Sequence, residues 1–182
     1  EIINHFAGLP EDAQMLIASP QNVDFTLGET DNEITLTTSK IKVTINKETT
    51  KISAKFIDGK EFYSQKKQDF RTGDIHDLAL ADLEGDYACF ESLELEADEV
   101  VYGLGERFDS LTRNGRTVDF YNKDAVGTTS RRSYLNIPFY LSTKGYGLFL
   151  NSGARTDWQI GTTDLSVLQF AVLDSQIDYF VI

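Results

Sequence analysis

A chain of 182 residues is long enough to bury a sizeable core and fits one domain of the larger all-β kind. Its composition, 41% hydrophobic and 25% charged, is that of an ordinary folded protein and excludes general disorder. With 29 acidic residues against 17 basic ones the net charge is -12, which argues against a nucleic-acid partner, since gripping phosphate backbones needs a basic footprint.

No apolar run approaches the length that spans a bilayer, so no membrane partner is expected. The first apolar stretch, Met15 to Ala18, is too short for a secretory signal. Leu9 to Leu16 is the one helical expectation, with Pro10 in the first turn and acids directly after it. From there the dominant period is two. Glu33 to Thr37, Lys40 to Asn46 and Lys51 to Phe56 alternate polar and apolar residues, which gives an extended chain one dry face and one wet face. Asp58-Gly59 follows as a hairpin turn. The stretch from Lys66 to Gly85, poor in pattern and mixed in charge, reads as a long loop.

Further strands are expected at Cys89 to Leu95, Thr117 to Tyr121, Leu135 to Leu141, Tyr146 to Asn151, Val167 to Leu173 and Ile177 to Ile182. Asn114-Gly115 and Lys144-Gly145 supply two more hairpin turns, and Trp158 sits in alternating sequence that suits a core position. Many short strands with frequent turns and almost no helix predict an antiparallel β-sandwich in one domain, residues 1–182. The chain stops at Asp178-Tyr179-Phe180-Val181-Ile182, within an expected strand, so a piece of a longer protein is expected.

Side chains able to carry chemistry are few. Glu91, Glu94, Glu96, Asp98 and Glu99 crowd one segment, but Glu94 and Glu96 alternate with Leu93 and Leu95, the pattern of a solvated strand face rather than of a catalytic carboxylate pair. His5 and His76 lack metal-ligand spacing and lack the strained nucleophile elbow of a serine hydrolase, so both read as surface residues. Cys89 is the sole cysteine, which excludes an intrachain disulfide, and Ala88 and Phe90 beside it suggest a buried strand. No metal site and no cofactor are expected. Arg113, Arg116, Arg131 and Arg132 read as a solvated loop surface. In Val101 to Asp109, Gly103 and Gly105 lack the third glycine and following helix of a nucleotide loop; they suggest close backbone approach instead, with Glu106 and Arg107 as an ion pair.

That same run, Val101-Tyr102-Gly103-Leu104-Gly105-Glu106-Arg107-Phe108, resembles an element of family 31 glycoside hydrolases, the bacterial α-xylosidases and α-glucosidases above all. Arg113 to Arg116, Tyr121 to Asp124, Tyr134 to Tyr140, Gly145 to Asn151 and Ile177 to Val181 follow in the family's order. The likeness is close from 100 to 182; before that it lies in the strand pattern alone. It implies a galactose mutarotase-like supersandwich that precedes a (β/α)8 catalytic barrel, here missing, which would be this chain's partner. Retaining hydrolysis of an α-linked oligosaccharide or α-xyloside is implied to use two barrel aspartates, so no catalytic residue is assigned to this chain. A loop from Tyr121 to Arg132 is implied to lean over the barrel mouth, with Asp124 as the residue that binds sugar. A cytoplasmic bacterial enzyme is expected. On the residues alone, Asp124 reads as a turn residue. Two rival functions are a free-standing carbohydrate-binding module with a platform at Trp158 and the tyrosines, and a mutarotase, which needs a histidine and carboxylate pair in a cleft.

Overall fold

The computed structural model describes residues 2–3, 22–72, 87–124, 127, 132–174 and 176–182. The first strands are β1 (Ile2–Ile3), β2 (Thr26–Glu29), β3 (Glu33–Thr37), β4 (Ile41–Asn46), β5 (Ile52–Phe56), β6 (Glu61–Thr72) and β7 (Tyr87–Glu94). After them come β8 (Val101–Gly103), β9 (Arg116–Phe120), β10 (Phe139–Ser142), β11 (Tyr146–Leu150) and β12 (Thr156–Ile160). The last are β13 (Val167–Val172), β14 (Gln176–Ile177) and β15 (Tyr179–Val181). Their ladders are antiparallel throughout, and no helix occurs among the described residues. The expected β-sandwich is therefore the fold.

A nine-stranded sheet in the order β2-β3-β4-β5-β6-β7-β13-β12-β9 packs on a four-stranded one, β15-β11-β10-β8; β1 pairs β14 separately. Period-two alternation explains the interior. Leu93, Phe170, Leu168, Trp158, Ile160 and Val118 point from the large sheet into the core, and Tyr140, Tyr146, Leu148 and Leu150 point back from the small one. Trp158 is fully buried, stacked on Phe170 at 4.4 Å with Tyr140 edge-on at 6.0 Å. Its indole Nε1 donates to Thr156 Oγ1 at 3.0 Å, so the polar end is satisfied inside. That burial removes Trp158 as an exposed sugar platform.

Several expectations change. The stretch from Lys66 is not all loop: through Thr72 it is the second half of β6, paired with β7 from Gln65↔Leu93 to Thr72↔Tyr87. A register shift between Gln65 and Lys67 breaks the alternation there, which hid the strand. Asp58-Gly59 and Lys144-Gly145 do close hairpins, β5 to β6 and β10 to β11. Asn114-Gly115 does not: the turn, closed by Arg116 N–H on Arg113 O at 3.0 Å, hands the chain from the small sheet to β9, whose partner is β12. The strand expected from Leu135 begins only at Phe139, after Pro138, which has no N–H to give a ladder. The expected final strand breaks at Asp178, where the chain passes from β14 to the small sheet; Asn151 holds the break by its N–H on Asp178 O at 2.8 Å and its amide on Asp178 Oδ2 at 2.7 Å. The helix expected over 9–16 and both histidines lie outside the described residues.

Candidate functional site

The expected sugar loop leaves β9, the edge strand of the large sheet, at Tyr121 and returns at Arg132. Its base is fastened. Lys123 N–H donates to Ser133 O at 3.1 Å, tying the outgoing limb to the returning one. Ser133 Oγ donates to Glu106 O at 2.8 Å and accepts Leu135 N–H at 3.1 Å. Asn136 donates its amide to Asn122 Oδ1 at 2.6 Å and accepts the Arg107 guanidinium on its own Oδ1. Asp124 lies just beyond this base and is exposed.

The glycine-rich run makes that base possible. Gly103, Leu104 and Gly105 all have positive φ, 114°, 62° and 85°, so the backbone folds under the loop. A Cβ on Gly103 would lie 2.6 Å from Phe139 O, and one on Gly105 only 2.2 Å from Leu135 O. The close-approach reading of these glycines holds. Leu104 pays left-handed strain because its side chain is fully buried in the core.

Arg113, expected in solvent, is buried and clamps this run. It donates to Gly103 O at 2.7 Å, Ser110 O at 2.9 Å, Gly105 O at 3.3 Å and Asp109 Oδ1 at 2.5 Å. Curled carbonyls with no strand partner need such a donor, and a guanidinium serves several at once. Glu106 and Arg107 do not pair as expected: Glu106 is exposed, whereas Arg107 donates to Leu104 O at 3.2 Å and Asp119 O at 3.3 Å. Burial, with the Arg113 cation next, lowers the Arg107 guanidinium from its ordinary value. Of the other arginines, Arg116 is half-buried, Arg132 is exposed, and Arg131 lies outside the described residues.

Beside the loop base is an open groove of about 380 Å³ lined by Arg107, Asp109, Thr117, Asp119, Tyr121, Lys123 and Arg132. Tyr121 is its half-exposed aromatic, with Lys123 Nζ 4.8 Å and the Arg155 guanidinium 5.0 Å from the ring centre. Arg155 also reaches the Asp119 carboxylate at 3.3 and 3.4 Å. Asp157, opposite Asp119 in the ladder, is pushed up to about 7 by burial above all, with the Asp119 charge adding to it. Such a groove can hold a neutral polyol: its carboxylates and cations give acceptors and donors beside the Tyr121 ring.

Of the crowded acids, Glu94, Glu96 and Asp98 are exposed, as the alternation implies for the first two. Glu91 and Glu99 are buried, which the sequence reading missed. Glu91 accepts from Gln65 at 2.7 Å and from Tyr179 at 2.9 Å; Glu99 accepts from Ser142 and, at 3.3 Å, from Tyr146. Both are sealed structural groups, closed to a substrate. Cys89 is buried as expected, its thiol raised to about 11 by burial first and Asp174 second.

A family model described as the glycosyl hydrolase 31 N-terminal galactose mutarotase-like domain matches residues 4–158. Among curated relatives, alpha-xylosidase XylQ of Lactiplantibacillus pentosus is 42% identical over 92 residues, 50% of this chain and 12% of the relative. An alpha-xylosidase of Emericella nidulans is 39% identical over 90 residues, 50% of this chain and 11% of its own length. The chain thus spans only a small part of the relatives it matches. Among solved structures, the Flavobacterium johnsoniae GH31 dextranase superposes with a TM-score of 0.77 at 20% identity, covering 96% of this chain and 21% of the dextranase. A GH31 alpha-xylosidase from a soil metagenome gives 0.71 at 17% identity, covering 95% and 26%. At these identities the superpositions establish the fold.

Proposed function

The chain belongs to the glycosyl hydrolase 31 N-terminal galactose mutarotase-like domain family, and from that membership we propose that it is the non-catalytic N-terminal domain of a retaining α-glycosidase, an α-xylosidase or α-glucosidase. In this reading its 182 residues form one domain, and a following (β/α)8 barrel, which needs about 250 residues by itself, carries the two carboxylates of the reaction. The sandwich supports the barrel. Its loop from Tyr121 to Arg132 reaches over the barrel mouth, and Asp124 accepts hydrogen bonds from sugar hydroxyls there.

The observation that carries this reading is the build of the loop. Its base is held by backbone and side-chain bonds to Glu106, Ser133 and Asn136, whereas Asp124 is left exposed beyond them. A fixed base under a free carboxylate is how a scaffold presents a binding group to a neighbouring domain. The two α-xylosidase relatives support the substrate class. The bacterial cytoplasm is the compartment we assign to the parent, to be read by cell fractionation. The test is turnover. A full-length parent should release the aryl group from aryl α-xyloside or aryl α-glucoside with retention, and the 182-residue chain alone should release nothing above a blank. Turnover by the chain that survives repurification would overturn the non-catalytic assignment.

A further inference from the structure

Outward residues on a sheet packed on one side normally stand in solvent. One polar row of the large sheet is partly withdrawn from it. Ser92, Gln169, Gln159 and Thr117 stand opposite one another across β7, β13, β12 and β9. They alternate with the core residues Leu93, Phe170, Trp158 and Val118, so the row faces away from the small sheet. Gln159 nevertheless keeps only 6% of its surface exposed, and Gln169 and Ser92 are half-buried. These three line a pocket of about 520 Å³, inside the range of roughly 300–1,000 Å³ usual for small-ligand sites.

The lining is organised before any ligand arrives. Gln159 Oε1 accepts from Thr163 Oγ1 at 2.9 Å and from Gln169 Nε2 at 3.1 Å, which fixes both amides. Its own Nε2 makes one long contact, 3.5 Å to Asp157 Oδ1. Among the described residues, nothing donates to Gln169 Oε1 and nothing bonds Ser92 Oγ. A donor, an acceptor and a hydroxyl able to be either are thus presented on three neighbouring strands, about 4.8 Å from one strand to the next. Val167 adds an apolar wall.

The charges around the pocket select a neutral ligand. Lys66 Nζ donates to Ser166 Oγ at 2.9 Å and lies 3.7 Å from Asp164 Oδ2. Hydrogen bonds from the Ser166 backbone and hydroxyl hold the Asp164 carboxylate below its ordinary value, so it stays negative in the lining. Lys51 is the remaining cation there, on a chain whose net charge is -12, and an anion gains little. Sugar hydroxyls, which donate and accept at once, match the amide row, and the C–H face of a sugar ring matches Val167.

We infer that this outer pocket, on β7, β12 and β13, is a binding site for a neutral saccharide, in addition to the loop that carries Asp124. Thr117, the next residue of the row, lines the groove beside Tyr121, so both depressions open on one face of the large sheet. The inference stands on the pocket and not on the proposed glycosidase.

Heteronuclear NMR of the isotope-labelled 182-residue chain tests it, with maltotriose, isomaltotriose and xylotriose as probes. At least one of them should shift, saturably, the side-chain amide signals of Gln159 and Gln169 together with the backbone amides of Ser92 and Val167. Gln169→Leu should weaken that binding about tenfold, the effect of one lost hydrogen bond. Ser92→Ala, which leaves both amides in place, should weaken it severalfold. Silence of these signals with all three sugars at tens of millimolar overturns the inference, as does undiminished binding by both variants. Shifts confined to the amides of Asn122 and Lys123 overturn it as well, by giving the sugar to the loop. So do shifts produced by inorganic phosphate and by no saccharide, which would make the pocket an anion site. Turnover plays no part in the readout. Saturable binding at Gln159 and Gln169, with a full-length parent inactive on α-glycosides, would sink the glycosidase reading alone; turnover without those shifts would sink the outer pocket alone.

Discussion

The hydroxyl of Tyr179 donates to Glu91 Oε2 at 2.9 Å, joining the edge strand of the small sheet to the middle of the large one through the core. Gln65 donates to the same oxygen at 2.7 Å and accepts the Ile52 N–H at 2.8 Å, and Tyr63 meets Tyr179 at 2.7 Å. A carboxylate with no solvent exposure survives only inside such a set of donors. Burial, with Glu91 next, raises the Tyr179 phenol above its ordinary value, so it stays a proton donor.

Tyr179→Phe keeps the ring against Phe170 and removes only the hydroxyl. The expected cost is about 1–3 kcal/mol, the range for leaving a buried charged acceptor short of one donor. Urea unfolding of the chain measures it; a change within about 0.5 kcal/mol, the size of an ordinary surface effect, would show the network to be incidental.

Gly105 and Gly115 both have positive φ, 85° and 71°, yet only Gly105 faces backbone, with Leu135 O in the way of any Cβ. Gly115→Ala should cost about 1–2 kcal/mol, the conformational strain alone. Gly105→Ala should cost clearly more, because the rigid loop base must also shift. Equal losses of melting temperature would refute the close-approach account.

Asp157 gives a pH dependence with a definite sign. Folded, it holds its proton up to about 7, whereas its ordinary value is 3.8. The folded state therefore binds more protons between those values, and this contribution to stability, full below 3.8, is lost as pH rises through about 7. Asp157→Asn stays neutral throughout. Its melting temperature should gain on the wild type between pH 5 and pH 8, each pKa unit corresponding to about 1.4 kcal/mol. A constant difference across that range would show that Asp157 is not held protonated.

Strands were legible in the sequence where one face is dry. Lys40 to Asn46 alternates strictly because Val43 and Ile41 pack on the core while Lys42 lies in solvent. The second half of β6 was not, since its place is set by a backbone ladder with β7 and by a register shift, neither of which leaves a period. Gly103 and Gly105 could be read because close approach is a local demand. Glu91 and Arg113 could not. A buried charge looks like a solvent-face charge until its partners are known, and Tyr179 lies 88 positions from Glu91. For Asp124, the residues alone suggest a turn; only the family resemblance points to a sugar.

The most direct test of the account is Asp124→Ala, made in the 182-residue chain and in the full-length α-glycosidase proposed above. A carboxylate that accepts sugar hydroxyls contributes about 1.5–3 kcal/mol per bond. The full-length variant should therefore lose roughly ten- to a hundredfold in kcat/KM on its α-glycoside. The isolated chain should melt as before, within about 0.5 kcal/mol, because the side chain is exposed at the start of a loop. A full-length variant that keeps wild-type kcat/KM would contradict the account and leave Asp124 a turn residue.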